Sequence, residues 1–302
     1  MKKIDIIIPT FNRPIATLDT TLSSIYNCKD FEIVNEVIVV DQNVKKLNFE
    51  EYKKLNHITL DKPSLTNARN VGANTSKADY LIFFDDDVIV HDGTFTAYMN
   101  TFLELNPPYI GGRELLKSEE VAKRDNTLIA KLKNKLRGIC LGQNEVAKIT
   151  NNGFFFCDFS KDLEDLVEID TVRGCNFAVR KDCFDSVSGF DLNYTKNALR
   201  EETDFILRVR KRFGQGYFNS KASVLHLRQF GGCSNLDQSL SGLNAKFENE
   251  LYFQLKHFKS GSVLKFFVRL FPLALETLKE TNYKSLYSLV SYTFKFNKFK
   301  NL

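Results

Sequence analysis

Three consecutive carboxylates, Asp85, Asp86 and Asp87, stand between the apolar runs Leu81-Ile82-Phe83-Phe84 and Val88-Ile89-Val90. The flanking residues are aromatic and β-branched, a composition that belongs to a buried strand of a parallel sheet. Uncompensated charge inside such a strand is costly, so the acids must emerge at the carboxyl edge of the sheet. Open α/β sheets bind ligands at that edge, and hard oxygen ligands suit Mg2+ or Mn2+ bridging to phosphates. A solvated acidic turn, with Asp86 or Asp87 capping the next helix, is the plainer reading of the same run. The rest of the chain favours a metal-diphosphate site.

A second acidic group lies at Arg200-Glu201-Glu202-Thr203-Asp204. It opens a predicted helix, where the dipole favours ionised carboxylates, and an ionised carboxylate can act as a base. Ordinary helix decoration is the alternative, with Asp204 pairing to Arg208 four residues on. Because a helix turns by about 100° per residue, Glu201, Glu202 and Asp204 cannot all face one substrate. His226 lies in the apolar run Val224 to Leu227, ahead of Arg228, Gly231, Gly232 and Ser234. A satisfied core histidine and a third metal ligand are both open to it, and the polar loop behind it could close over an anion.

The elements that position these groups are strands and helices in alternation. Ile4 to Pro9 reads as a first strand, followed by a helix with Pro14 in its first turn and Leu18, Leu22 and Ile25 on one face. Glu36 to Asp41 and Ile58 to Leu60 read as strands, and Ser64 to Thr75 as a helix ending near Gly72 or Asn74. Leu81 to Phe84 follows as a strand, then a helix from Gly93 to Leu105 and a strand at Tyr109 to Arg113. Such alternation predicts parallel pairing with right-handed crossovers, so the loops after the first, second and fourth strands share one edge. Thr10-Phe11-Asn12-Arg13, Asp41-Gln42-Asn43 and Asp85-Asp86-Asp87 would converge there.

Beyond Arg113 the pattern weakens. Lys131, Lys133, Lys135 and Arg137, interleaved with Leu128, Ile129, Leu132 and Leu136, make a basic amphipathic helix candidate. Regular structure resumes at Ile169 to Val172. It continues with a strand at Phe177 to Arg180, a helix at Lys181 to Val187, a helix at Arg200 to Phe213 and a last strand at Ser223 to Leu227. No G-x-G-x-x-G or G-x-x-x-x-G-K-[ST] motif occurs, so neither a dinucleotide site nor a P-loop is supported.

Composition sets the outer limits. With 302 residues, 43% hydrophobic and 13% aromatic, the chain can bury a large α/β core. Its six cysteines (Cys28, Cys140, Cys157, Cys175, Cys183 and Cys233) form no C-x-x-C pair, which argues against a zinc ribbon or a disulfide framework and for a reducing, cytoplasmic setting. The apolar amino-terminal stretch is cut by Asp5 and Pro9 and is too short for a signal peptide. No segment offers the ~20 uninterrupted apolar residues of a membrane span. Net charge is +5, and residues 245–302, with ten Lys or Arg against four Glu, carry the excess.

These pieces, in this order, resemble an inverting glycosyltransferase of family two with the GT-A fold. The resemblance covers about Lys3 to Ser234. It rests on Ile6-Ile7-Ile8-Pro9-Thr10-Phe11-Asn12-Arg13, Val39-Val40-Asp41, Asn67-Ala68-Arg69-Asn70-Val71-Gly72, Asp79 to Asp87, Gly174-Cys175-Asn176 and Glu201-Glu202-Thr203-Asp204-Phe205. It implies an α/β fold, a mostly parallel Rossmann-like sheet flanked by helices. Residues 1–240 would form the catalytic domain, with a nucleotide-binding half (1–113) and an acceptor half (114–240). Residues 241–302 would form a helical, basic and aromatic appendage.

The resemblance further implies a nucleoside-diphosphate sugar, most simply a UDP-sugar, as donor, a saccharide acceptor and Mn2+ or Mg2+ as cofactor. Pro9, Thr10, Asn12 and Arg13 would border the nucleotide and Asp41 would read the base edge. Asn67, Arg69, Asn70, Gly174 and Asn176 would line the donor pocket. Asp85 and Asp87 match the D-x-D pair, Asp86 between them would also contact the donor, and His226 would complete the metal site. Glu202 matches the general base, where the family more often has Asp, with Glu201 and Asp204 as alternatives beside it. Asp41-Gln42-Asn43 departs from the family, which often shows a second acid and then Gly or Ser.

The tail mixes its cations with Phe253, Phe258, Phe266, Phe267, Phe271, Tyr283, Tyr287, Tyr292, Phe294, Phe296 and Phe299. Such a mixture suits an interfacial helix on the anionic inner face of the plasma membrane, where a lipid-linked acceptor would be met. Packing on the catalytic domain or on a second subunit is the competing reading. The basic residues form no nucleic-acid-binding motif, so a nucleic-acid partner is not expected. Two other classes remain as rivals: a nucleotidyltransferase acting on sugar phosphates, which should show a Gly-rich loop after the first strand, and a non-catalytic carbohydrate-binding protein.

Overall fold

The structure, a computed structural model, describes residues 2–43, 52–117, 141–229 apart from 152 and 154, 231–232, 240–258, 271 and 284–299. Strand β1 (Ile4–Thr10) is buried along its whole length, as a central strand covered on both faces must be, and its one acid, Asp5, is bonded to Asn35 and Ser76. Its side chains divide between the two faces of the sheet. Ile6 and Ile8 pack with Leu18, Leu22 and Ile25 of helix α1 (Ile15–Tyr26), whereas Ile7 packs with Ala68 and Ala73 of helix α2 (Leu65–Thr75). Pro14 is the N-cap of α1, and Ser64 caps α2 by accepting from the Asn67 amide.

Strands β2 (Val34–Asp41) and β4 (Tyr80–Phe84) flank β1 in parallel, and β3 (Leu55–Thr59) pairs in parallel with β2. The apolar run on either side of the aspartates is two strands. After the acids the chain turns into β5 (Val88–Val90), which lies at the far edge of the sheet. Helix α3 (Thr94–Leu105) and β6 (Tyr109–Leu116) follow, then the short strands β7 (Ala147–Ile149), β8 (Phe155–Cys157) and β9 (Val167–Ile169). Strand β10 (Asn176–Arg180) inserts antiparallel between β4 and β6. Helix α4 (Lys181–Ser186), helix α5 (Glu201–Phe213) and strand β11 (Gly216–His226) complete the sheet. Its order is β3-β2-β1-β4-β10-β6-β11-β5, with β9 on β11.

The fold is therefore α/β with a mostly parallel sheet between helices. Strand β6 crosses the 113/114 division, so the two expected halves of residues 1–240 share one sheet. Strand β11 is longer than the sequence reading, because a register shift between Asn219 and Ser223 carries the strand through the polar Asn219-Ser220-Lys221. The basic stretch 128–137 lies outside the described residues.

Helix α2 sits close on the sheet because residue 72 is glycine. A Cβ there would lie 2.6 Å from Ile7 Cγ2 and 3.2 Å from Val40 Cγ2. Gly72→Ala should gain up to about 1 kcal/mol of helix propensity and lose about 1–3 kcal/mol to overpacking. We expect a net loss, read as a lowered urea midpoint with an unchanged slope; a raised midpoint would show that the helix can shift outward freely.

Of the tail, helix α6 (Leu240–Phe258) turns a polar stripe inward: Asn249, Glu250 and Gln254 are buried. Helix α7 (Lys284–Phe299) packs on it through Phe247 and Tyr292, whose ring centroids are 6.0 Å apart. Lys256, one of the ten cations of residues 245–302, is ion-paired to Asp191 at 2.6 Å and Asp204 at 2.8 Å. Among the described residues no helix is long and apolar enough to cross a membrane.

Candidate active site

The carboxyl ends of β1, β2, β4, β6 and β11 and the amino end of β10 meet along one edge of the sheet, as their registers require. The three polar clusters expected to converge do so there. Thr10 Oγ1 donates to Asp86 Oδ2 at 2.7 Å, Arg13 Nε donates to Asp86 Oδ1 at 3.0 Å, and the Asn12 amide donates to Asn43 Oδ1 at 2.5 Å.

The three aspartates have different surroundings. Asp85 is half-buried and pairs with Arg69 Nη2 at 3.1 Å. Asp86 is buried and turned inward on Thr10 and Arg13, so it braces the β1–α1 loop and does not face the cleft. Burial pushes its carboxyl up to about 6 against the pull of Arg13. Asp87 accepts from the Gln229 amide at 3.0 Å and lies 3.3 Å from both Arg13 Nη2 and His226 Nε2. Burial opposes its charge, and His226 and Arg13 outweigh that and hold its pKa below the usual carboxylate range.

His226 stands between two acids. Its Nδ1 is 2.8 Å from Glu114 Oε1, and its Nε2 faces Asp87. Burial alone would favour the neutral ring; Cys175, Asp87 and Glu114 reverse this and raise its pKa. Glu114 is buried and also meets Arg173 Nε at 3.1 Å and Arg228 Nη2 at 3.3 Å. Burial opposes its charge, and the bond from His226, with Arg173 and Arg228, outweighs that and lowers its pKa. Sequence reasoning missed Glu114: its signal was one acid in the strand Tyr109-Ile110-Gly111-Gly112-Arg113-Glu114-Leu115-Leu116.

One ligand atom each from Asp85, Asp87 and His226 lie within 4.8 Å of one another, and so do atoms of Glu114, Cys175 and His226. The second group suits a hard ion poorly, because burial pushes the Cys175 thiol up to about 11 and Glu114 is committed to two arginines. The first fits: two carboxylates and an imidazole whose Nδ1 is oriented by Glu114 and whose Nε2, on giving up the proton it shares with Asp87, can ligate the ion.

Arg69 links this cluster to helix α5. Fully buried, it lies over Phe177 and Phe190, with its Cζ 5.9 and 5.6 Å from the ring centroids. It donates to Glu201, to Asp85 and, at 2.9 Å, to the Gly174 carbonyl. Burial pushes the Glu201 carboxyl up, opposed by Arg69. Arg69→Met should leave that carboxylate buried beside Asp85 and Glu202, at about 3–5 kcal/mol. The deficit should shrink as pH falls, because Glu201 can then take a proton and shed its charge. Equal unfolding midpoints for variant and wild type at neutral pH would refute it.

Glu202 is half-buried and makes no hydrogen bond or ion pair among the described residues. Arg69, Arg173 and Arg200 all feel its charge. Asp204, grouped with it by sequence, is not brought into the cleft. It is fully buried under α6, 2.7 Å from His257 Nε2 and 2.9 Å from Arg208 Nε. Asn70 and Asn176 are likewise engaged elsewhere. Asn70 exchanges two 2.8 Å bonds with the Phe190 backbone. Asn176 is buried, donates to the Arg113 and Ala222 carbonyls at 3.0 Å and accepts from Tyr98 at 2.7 Å. Asn67 is half-buried on α2 and Pro9 is buried at the end of β1. Asp41 accepts from the Asn43 amide at 2.9 Å and lies 3.1 Å from His57 Nε2, a neighbour not foreseen from sequence.

The loop after His226 is already packed on the β1–α1 loop. Arg13 donates to the Gln229 carbonyl, and the Gly232 amide donates to Asn12 O at 3.3 Å. A Cβ on Gly231, at φ +128°, would lie 2.9 Å from Asn12 O, so a side chain there would force the two loops apart.

An open α/β sheet with this acidic edge, a histidine beside it and a carboxylate-bearing helix across from it is the GT-A glycosyltransferase architecture. The family model of glycosyl transferase family 2 matches residues 5–183, and the chain belongs to that family. It is 34% identical over 121 residues to the poly(ribitol-phosphate) beta-N-acetylglucosaminyltransferase TarP of Staphylococcus aureus (strain N315). That match covers 37% of this chain and 37% of the relative's length. The crystal structure of GalNAc-T7 with UDP, GalNAc and Mn2+ superposes with a TM-score of 0.57 at 12% identity, over 81% of this chain and 47% of that one, a likeness of fold.

Proposed function

We propose that the chain moves a sugar, with inversion, from a nucleoside-diphosphate sugar to a saccharide hydroxyl, with UDP as the carrier. The observation that carries this reading is the cluster of Asp85, Asp87 and His226 at the sheet edge that Arg69 and Glu201 connect to Glu202. Asp85, Asp87 and His226 would hold Mn2+ or Mg2+. Such an ion supplies Lewis-acid neutralisation of the departing diphosphate.

The chain's own groups account for the rest. Arg13 and Arg69 add positive charge beside the diphosphate, and Arg69 keeps Asp85 in place. Asp41, at the end of β2, would serve the base end of the nucleotide, with Thr10 and Asn12 beside it. Glu202 accepts the proton of the acceptor hydroxyl as that oxygen attacks the anomeric carbon from the face opposite the diphosphate, which gives inversion. The match to a poly(ribitol-phosphate) beta-N-acetylglucosaminyltransferase and the solved fold relative with UDP and Mn2+ support the donor class and the use of a metal. Polysaccharide, lipopolysaccharide or capsule assembly is the setting we infer, at the cytoplasmic face of a membrane that presents a lipid-linked acceptor to the basic tail.

A nucleotidyltransferase is disfavoured because the β1–α1 loop, Phe11-Asn12-Arg13-Pro14, has no glycine to wrap a triphosphate. The test is a thermal-shift panel of UDP, dTDP and GDP with and without Mn2+. A ligand at about 100 times its Kd should add about 2.7 kcal/mol. One nucleotide should shift the midpoint only with metal; no metal-dependent shift across the panel would remove the reading. Hydrolysis of the matching nucleotide sugar then excludes a non-catalytic carbohydrate-binding protein.

A further inference from the structure

Three of the five residues Lys196 to Arg200 have left-handed backbone: Lys196 at φ +57°, Ala198 at +48° and Arg200 at +77°. None is glycine, so the conformation is unfavourable for each and persists only where the surroundings impose it. The segment runs directly into α5, whose first turn carries Glu201 and Glu202. The Glu201 amide donates to Ala198 O at 3.0 Å and the Asp204 amide to Arg200 O at 2.8 Å. The segment thus sets where the first turn of α5 begins.

What imposes the conformation is the inward polar stripe of α6. Asn249 accepts from the Thr195 amide at 3.2 Å and donates to Thr195 O at 3.0 Å and to Asn197 Oδ1 at 3.3 Å. Arg200 Nε donates to Glu250 Oε2 at 2.7 Å. The guanidinium lies 4.9 Å from the Phe155 ring centroid and 5.8 Å from that of Phe253. Gln254 in turn fixes Glu250, at 2.5 Å. Burying such groups on a helix is costly unless they are bonded, and the bonds of Asn249 and Glu250 go to this segment. Lys256 and His257, one turn further on, hold Asp204 from the other side.

We propose that α6 is the positioning element for the candidate base: Glu250 acting through Arg200, and Asn249 acting through Thr195 and Asn197, hold the strained segment so that Glu202 meets the acceptor hydroxyl. This rests on Glu202 being the base. Glu250 and Asn249 are positioning residues, since neither reaches the acidic edge of the sheet. A displacement of about 1 Å at a reacting group costs on the order of 100-fold in rate, so loosening the clamp should show in turnover before it shows in donor binding.

The test uses the full chain with Glu250→Gln, Asn249→Ala and Arg200→Gly. Thr195 is exposed, so water can replace Asn249, and glutamine keeps the shape of Glu250. Glycine accepts the left-handed backbone at 200, so its effect isolates the loss of the anchored side chain. We expect kcat for sugar transfer to fall about 10- to 100-fold in each, with an unchanged calorimetric Kd for the nucleoside diphosphate with Mn2+. Amides 201 to 204 should exchange hydrogen faster. In a Glu202→Gln background, Glu250→Gln should add no further loss, because a misplaced base and an absent one are equivalent. Unchanged kcat, a loss that tracks donor affinity, or full additivity with Glu202→Gln would overturn the proposal. A wild-type chain that binds donor and transfers nothing would instead refute the functional reading, and the exchange measurement would still decide whether α6 holds the segment.

Discussion

Asp87→Ala is expected to abolish metal-dependent nucleotide binding and to lower sugar transfer by about 1000-fold. The magnitude follows from a metal's contribution of several kcal/mol to a transition state that expels a diphosphate, at about 1.4 kcal/mol per factor of ten. Asp87 supplies one of two carboxylates in the candidate ion site and touches His226 at 3.3 Å. It also pairs with Arg13 and accepts from the Gln229 amide, so alanine frees both the β1–α1 loop and the loop after His226. Asp87→Asn separates the two effects: its amide oxygen can still accept from Gln229, while the charge is gone. Both variants should lose the Mn2+-dependent thermal shift with UDP, and only alanine should lose much stability without ligand. A full metal-dependent shift in Asp87→Asn would exclude the residue from ion binding. Asp86→Asn should behave differently, weakening the Thr10 and Arg13 brace while leaving a metal-dependent shift in place.

Strands β1, β2 and β4 were legible because central parallel strands are apolar on both faces and leave unbroken runs. With three strands parallel, the placement of Thr10, Asp41 and Asp85 on one edge follows from connectivity alone. What the sequence withheld depends on long-range contacts. Glu114 meets His226 across 112 positions, and no local pattern in β6 marks it. Strand β5 reads as a continuation of β4 because hydropathy does not report a reversal of direction; its antiparallel pairing with β11 does. Asp204 looked equivalent to Glu202 because both are acids in one helical turn. The difference is that α6 brings His257 and Lys256 to one of them. The same contacts bear on the tail, where Lys256, one of its ten cations, is a partner for a buried acid.

Glu202→Gln should keep donor binding and lose transfer by about 100- to 10,000-fold, the range for removing a general base. Donor binding survives because Glu202 lies outside the Asp85, Asp87 and His226 cluster and makes no hydrogen bond or ion pair among the described residues that the substitution could break. That freedom sets it apart from its neighbours. Glu201 is buried and held to Arg69 through Oε1, with Oε2 enclosed and without a hydrogen bond among the described residues, and Asp204 is bound to Arg208, His257 and Lys256, so neither is open to an acceptor as the half-buried Glu202 is. Glu201→Gln should therefore cost stability first, and Asp204→Asn should loosen α6. The three variants compared at saturating donor make the assignment testable: kcat should fall steeply only in Glu202→Gln at temperatures where all three remain folded. Normal turnover in that variant, with transfer lost in Glu201→Gln at unchanged stability, would move proton abstraction one residue back along the helix. Such a result would assign the step to Glu201 Oε2, and the burial of that residue leaves an acceptor hydroxyl little room to reach it.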